Sequence, residues 1–234
     1  MNDALPYRLV FDAVGQDLDA ARACEAEVFL DRFANSPEEM AEEYGAYESA
    51  TGFIAIIDDS TGEAVAAMRF IAPGPAGLKT LNDVSRPPWR VDGLKAAAEA
   101  GIDPERTWDV ATIAVRPGRG LGGMCAAALY SAISLSSIAN GCNHIVMLMD
   151  KPALDLLIGL SMHVEPLPGT FAGEYLGSTA TTPVLGDLHP GFERMERENP
   201  DAHRLIRQGL GFDDLITMPT DWTWHRKAIG QASD

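Results

Sequence analysis

Apolar residues recur along this chain with two periods, and the switches between them lay out the elements. Residues 7–13 alternate as a first strand, 17–33 and 36–47 follow a helical spacing, and 53–57 and 64–71 are short apolar runs. Between those runs lies Asp58-Asp59-Ser60-Thr61-Gly62, whose turn chemistry predicts a hairpin. The helix over 36–47 opens with Ser36 and Pro37, a cap followed by a first-turn proline. Residues 78–84 read as a short extended piece. Residues 85–106 read as a mixed insertion with an alanine-rich helix over 94–100, part of it expected to cover a site. A buried run over 108–115 gives way to helical spacing from 121 to 139, then a strand over 143–149 and a helix over 153–160. A Gly/Thr-rich stretch over 169–185 ends in a last strand around Val184, and 190–209 is a charged amphipathic helix within a C-terminal extension over about 188–234. No internal repeat is visible. Alternating strands and helices predict one α/β domain over 1–234, α+β in some schemes.

Composition narrows the partners. With 34 acidic against 18 basic residues the formal charge is −16, which disfavours nonspecific binding to nucleic acid or to an anionic membrane. Small molecules or a local docking surface remain. Three unpatterned cysteines, Cys24, Cys125 and Cys142, and a sequence read as free of a signal peptide or long apolar span, lead to the expectation of a cytoplasmic protein with reduced thiols.

The densest chemistry lies in Trp108 to Met124, where an apolar strand meets a glycine-rich turn that opens into a helix. Gly118, Gly120, Gly122 and Gly123 let the backbone come close to a ligand, and the unpaired amides of the first helical turn attract an anion. A P-loop is excluded because no Lys-Ser or Lys-Thr pair follows the glycines. A Rossmann fingerprint fits poorly, since no acidic residue closes a following strand at the usual offset of about 20 residues.

The turn resembles the pyrophosphate arm of the GNAT acyltransferases, Arg-x-x-Gly-x-Gly/Ala, on Arg119, Gly120, Leu121, Gly122 and Gly123. Met124 departs from the small last residue, and the preceding loop is one residue shorter than the commonest form. The strand Trp108-Asp109-Val110-Ala111-Thr112-Ile113-Ala114-Val115 is similar to the Trp-Glu-x-Ser-Arg-Phe-Ala-Val strand of the acyl-homoserine-lactone (autoinducer) synthases, whose GNAT-like family includes N-acyl amino acid synthases. Upstream, residues 62–81 resemble that family's strand ending in Gly-x-x-Arg-Leu, with the arginine falling on Arg69. The similarity runs in order over about residues 25–187, and only the 108–124 block is specific. Thr112 stands where the autoinducer synthases carry an arginine and Asp109 replaces their glutamate, so the homoserine-lactone activity does not carry over.

The resemblance implies a mixed, splayed β-sheet with helices on both faces, and transfer of an acyl group from a pantetheine thioester to the amine of a small molecule, without a metal. Ala114, Val115, Arg116, Arg119, Gly120, Leu121, Gly122, Gly123 and Met124 would hold the pantetheine arm, with a backbone amide near Ala114 or Val115 facing the thioester oxygen. Asp109 is the candidate base for an amine that arrives protonated. Arg69, Trp108 and Thr112 are candidate substrate contacts. Each also has a plainer reading, Arg69 as a strand-surface charge and Trp108 as core. The tyrosine that many GNAT enzymes use as acid for the thiolate is absent from 151–162. Cys142 and His144 have the spacing of a metal pair but no second pair nearby.

The carrier stays open between coenzyme A and acyl carrier protein. Met124 would crowd a diphosphate, which favours a carrier protein arm with one phosphate. An acidic carrier would be repelled unless Arg86, Arg90, Lys95, Arg116 and Arg119 form a local basic patch. Among acceptors, Thr112 in place of arginine disfavours an adenosyl-methionine-like compound. A noncatalytic scaffold that binds an acyl thioester or a protein partner is the alternative, and the 190–209 helix is the candidate contact of a homodimer.

Overall fold

The computed structural model describes residues 5–118 and 122–225. After β1 (Tyr7–Val10), helices α1 (Gly15–Phe33) and α2 (Pro37–Gly45) lead into β2 (Thr51–Asp58) and β3 (Ala64–Ile71). Two short helices, α3 (Lys79–Asp83) and α4 (Gly93–Glu99), precede β4 (Thr107–Val115), α5 (Gly122–Ala139), β5 (His144–Asp150) and α6 (Lys151–Gly159). The chain then forms β6 (Glu165–Pro166), β7 (Gly173–Tyr175), β8 (Ser178–Asp187), α7 (Leu188–Glu198), α8 (Pro200–Ile206) and β9 (Ile216–Thr217). Local chemistry sets several boundaries. Ser36 and Glu39 close a reciprocal capping box on α2, and the Asp150 side chain caps α6 by accepting from the Ala153 amide.

The strands form one mixed sheet in the order β6-β8-β5-β4-β3-β2-β1-β9, with β7 paired to β8. Every residue of β2 and β3 is buried, as strands covered on both faces require. One face carries the main core, in which α5, α7 and α8 pack on Trp108, Val110 and Phe70. The other carries smaller clusters under α1, under α2, and under α3 with α4.

Two irregularities in β4 position the site. Its parallel ladder with β5 stops at Val110↔Met147. Beyond that point β4 stays with β3 as far as Ala66↔Val115, while β5 stays with β8 as far as Asp150↔Thr181, so the two halves of the sheet splay apart. In the same place the β3–β4 register slips between Arg69 and Phe70, leaving Ala111 as a bulge. A bulge resets the two-residue alternation. Val110 therefore faces the α5 core, whereas Asp109, Thr112 and Ala114 all face the side covered by α1 and α3.

Four expectations from the sequence need correction. Residues 78–84 hold a helix, α3, fixed by the burial of Lys79, Thr80, Leu81 and Asp83 rather than by any period a five-residue segment could show. The insertion over 85–106 contributes no residue to the main cavity; Trp89 and α4 instead back α3 within one cluster. The 190–209 helix is two helices, broken where Asn199 leaves helical geometry and caps α8 ahead of Pro200. Finally, α5 is long and apolar enough by composition to cross a membrane, and 67% of it is buried as the central core helix.

Candidate active site

A cavity of about 730 Å³ occupies the splay and crosses the sheet from one face to the other. On the α5 side it is walled by Gly122, Gly123, Ala126 and Tyr130, a stripe at helical spacing, with Ile113, Val115, Met149 and Ala153. On the opposite side Tyr44, Lys79, Thr80, Asp83, Asp109 and Tyr175 line it. One end is therefore apolar and rich in backbone, and the other is charged. The shape suits an acyl thioester threaded between the strands and meeting a polar acceptor.

Asp109 is fully buried at that junction. The first turn of α3 clamps it, the Thr80 amide donating at 2.5 Å and the Thr80 hydroxyl at 2.9 Å. Burial pushes its carboxyl up to about 7, against the stabilising pull of those two bonds and of the Lys79 ammonium, so both protonation states are populated near neutrality.

The charged end was not legible in the sequence. Lys79 is 3% exposed, and its Nζ donates to Glu43 at 2.5 Å, Asp83 at 2.5 Å and the Tyr175 hydroxyl at 2.7 Å. Tyr175 in turn donates to Asp83 at 2.6 Å. Burial raises Glu43, but hydrogen bonding and charge from Lys79 outweigh it and hold that carboxyl below its ordinary range. Burial and the neighbouring Asp83 charge push the Tyr175 phenol far up. The only sequence signal was the i,i+4 spacing of Lys79 and Asp83, in a segment read as extended; Tyr175 arrives from 92 residues beyond Asp83.

On the α5 side, Tyr130 is 2% exposed and its hydroxyl has no hydrogen-bond partner among the described residues. Burial, with the Asp150 charge, raises its pKa, so it remains a neutral donor. A buried, unpartnered donor is costly, and this one belongs to a residue of the cavity wall.

The predicted pantetheine residues divide. Val115, Arg116, Gly122 and Gly123 line the cavity, while Arg119, Gly120 and Leu121 lie outside the described residues. Arg116 pairs with Glu27 at 2.7 Å and Glu63 at 3.5 Å, and its buried Nε has no partner among the described residues. The Arg116 amide donates to Val65 in β3. By the alternation of an antiparallel ladder the Ala114 amide also faces β3, and the Ile113 and Val115 amides face the splay. Ala114 is buried beneath α1 and takes no part in the cavity wall. Met124 is 38% exposed and is not a wall residue, so its side chain does not crowd the cavity.

Of the three candidate substrate contacts, only Thr112 reaches the cavity, and its hydroxyl bonds Glu25. Arg69 is not in the wall. Its Nε and Nη2 donate to the two carboxylate oxygens of Glu25, at 2.9 and 2.5 Å, and its guanidinium lies over the rings of Tyr44 and Phe53. Trp108 stacks on Phe70 with 4.6 Å between centroids on the far face, and lines a separate cavity of about 250 Å³. Three of the residues expected in a basic patch already have acidic neighbours, Arg86 beside Asp83 and Glu43, Lys95 beside Glu99, and Arg116 between Glu27 and Glu63. Among the described residues no group of three His, Cys, Asp or Glu side chains is arranged to hold a metal ion.

No family model matches the sequence, and no curated protein matches it either. Solved structures do match in fold. The acyl-homoserine-lactone synthase LasI aligns over 80% of this chain and 92% of its own at 16% identity with a TM-score of 0.59. FeeM, an N-acyl amino acid synthase from uncultured soil microbes, aligns over 81% and 94% at 10% identity, also with a TM-score of 0.59. BjaI, a CoA-dependent acyl-homoserine lactone synthase solved with SAM and isopentyl-CoA, aligns over 92% and 94% at 14% identity with a TM-score of 0.51. The fold of this chain is therefore the GNAT-like α/β fold of those synthases, the one the 108–124 block resembles.

Proposed function

We propose that this protein is an N-acyltransferase that moves an acyl group from a pantetheine thioester to the amine of a small molecule. The observation that carries the reading is Asp109, a fully buried carboxyl with a pKa of about 7 in the wall of a cavity that crosses the sheet where β4 and β5 part. A base with that pKa both accepts and releases protons at neutral pH. The fold relatives are synthases that acylate amines by name, and they support the class of reaction.

In this mechanism the thioester arm lies along β4 with its phosphates toward Arg116 and the amides of Gly122 and Gly123. Asp109 takes one proton from the acceptor ammonium. The freed nitrogen pair attacks the thioester carbonyl carbon, and negative charge gathers on oxygen at the open edge of β4 beside the bulge, where its ladder with β5 stops. Collapse breaks the C–S bond, and the second nitrogen proton leaves with the thiolate sulfur. Tyr130, a neutral buried hydroxyl on the α5 side, is the donor available to the sulfur. It would take the role for which 151–162 offers no tyrosine, an absence that together with Met124 supports the noncatalytic scaffold.

The test pairs binding with turnover. Thermal shift against acyl-CoAs of increasing chain length should show stabilisation of about 2.7 kcal/mol at a hundred times the dissociation constant, and addition of amines should release free thiol. Stabilisation without thiol release from any amine would return the scaffold; no stabilisation by any CoA would move the donor to an acyl carrier protein.

A further inference from the structure

The acyl-transfer reading leaves the acceptor open, and the charges at the polar end of the cavity restrict it. We infer that the acceptor is a cationic amine that carries no carboxylate on the carbon bearing its nitrogen, so that free α-amino acids are excluded from this site. The inference uses acyl transfer only to say what happens to the amine; the charge argument concerns binding alone.

An α-amino acid that presents its nitrogen to Asp109 necessarily brings its carboxylate to the same end of the cavity. Three acidic side chains are already gathered there, Asp109, Asp83 and Glu43, against two cations, the buried Lys79 and the exposed Arg86, which stands 3.8 Å from Asp83 and 4.0 Å from Glu43 outside the cavity wall. Lys79 has three N–H donors, and Glu43, Asp83 and the Tyr175 hydroxyl take all three. Lys79 and Arg86 together are still outnumbered by the three acids, and the Lys79 hydrogens are spent. Arg69 is absent from the wall and is held by Glu25. The remaining wall cations are Arg116, held between Glu27 and Glu63, and Arg32, exposed in the last turn of α1.

A second carboxylate at this end would thus meet a surplus of like charge beside a lysine whose hydrogens are all taken, whereas an ammonium meets a surplus of acceptors. Tyr130, another residue of the cavity wall, carries a buried hydroxyl with no hydrogen-bond partner among the described residues. The aromatic rings of Tyr44 and Tyr175 complete a cation-friendly wall, each already lying within cation–π range of Lys79.

Matched pairs test this directly: phenylalanine against phenethylamine, leucine against isoamylamine, lysine against cadaverine, and arginine against agmatine. Binding to the protein alone is read by calorimetry, and turnover by thiol release with an acyl-CoA. In each pair the decarboxylated amine should bind more tightly and show kcat/KM higher by about 100-fold. Glu43→Gln should weaken amine binding several-fold while leaving acyl-CoA affinity unchanged, and Tyr175→Phe, which keeps every charge, should not narrow the preference within pairs. Amino acids bound or acylated as well as their amines would overturn the inference and leave acyl transfer standing. Amine binding without thiol release would do the reverse, and neither binding nor turnover would overturn both.

Discussion

Replacing Asp109 by asparagine should make stability less sensitive to pH, by an amount that one buried carboxyl sets. Burial raises this carboxyl from 3.8 to about 7. A group whose folded pKa lies above its unfolded one contributes stability below the unfolded value and loses it as pH rises through the folded value. Between about pH 5.5 and about pH 8.5 the wild-type protein should lose about 2 kcal/mol from Asp109 alone, and asparagine, with no proton to lose, should lose none. At about 2–4 °C per kcal/mol for a chain of this size, that is about 4–8 °C in melting temperature. Thermal melts of both proteins across that range, at matched ionic strength, read the difference directly, because all other titrations are shared. The variant should gain on the wild type as pH rises. A gap that stays constant with pH would refute the argument that desolvation outweighs the two Thr80 hydrogen bonds. In the same variant kcat/KM should fall by about 10²- to 10⁴-fold, and the limb near pH 7 should vanish.

Arg69→Met would leave Glu25 buried without its cation, at a cost of about 3–5 kcal/mol, with acyl-CoA affinity little changed; urea unfolding and calorimetry separate the two, and intact stability with lost affinity would return Arg69 to the substrate. Tyr130→Phe removes only an unpartnered hydroxyl, so stability should hold or rise by up to about 1 kcal/mol while thiol release slows; an aryl thioester, whose thiolate leaves more readily, should recover part of the rate if the hydroxyl serves the sulfur. Gly93→Ala would drive a Cβ into the Leu81 carbonyl where α4 crosses α3, destabilising by about 1–3 kcal/mol and shifting the pH dependence that Thr80 helps set; an unchanged melt and pH profile would show that α4 does not hold α3 in place.

The sequence disclosed the features that depend on neighbours along the chain. The strand over 108–115, the glycines that follow, the hairpin and the order of elements all come from local period and turn chemistry, and Asp109 was found because it adjoins them. What escaped depends on contacts that no local pattern records. Thr80 sits 29 residues from the carboxyl it clamps, and Glu25 sits 44 residues from the arginine it neutralises. Arg69 was misplaced for that reason, since an arginine in a strand looks the same whether it meets solvent, substrate or a buried glutamate. Tyr130 was hidden in another way. On an apolar helix a tyrosine reads as core, and only the splay, a property of two other strands, brings the residue into a cavity wall.

That splay also explains why binding and chemistry coincide. β4 is satisfied along one edge by β3 as far as Val115, and along the other by β5 only as far as Val110. Over the last five residues of β4 the open edge therefore presents amides with no strand beside them, along the wall of the cavity. A pantetheine arm, itself a run of amides, can complete that edge and in doing so bring its thioester to the point where the ladder stops. The bulge at Ala111 lies one residue past that point. Without it, Asp109 and Thr112 would fall on opposite faces of the sheet; with it, both face α1 and α3, on the side from which the polar end of the cavity opens. Thus one lost ladder makes room for the donor, one slipped residue groups the polar side chains on the acceptor's side, and the carboxyl between them is desolvated by the packing that holds the strands apart.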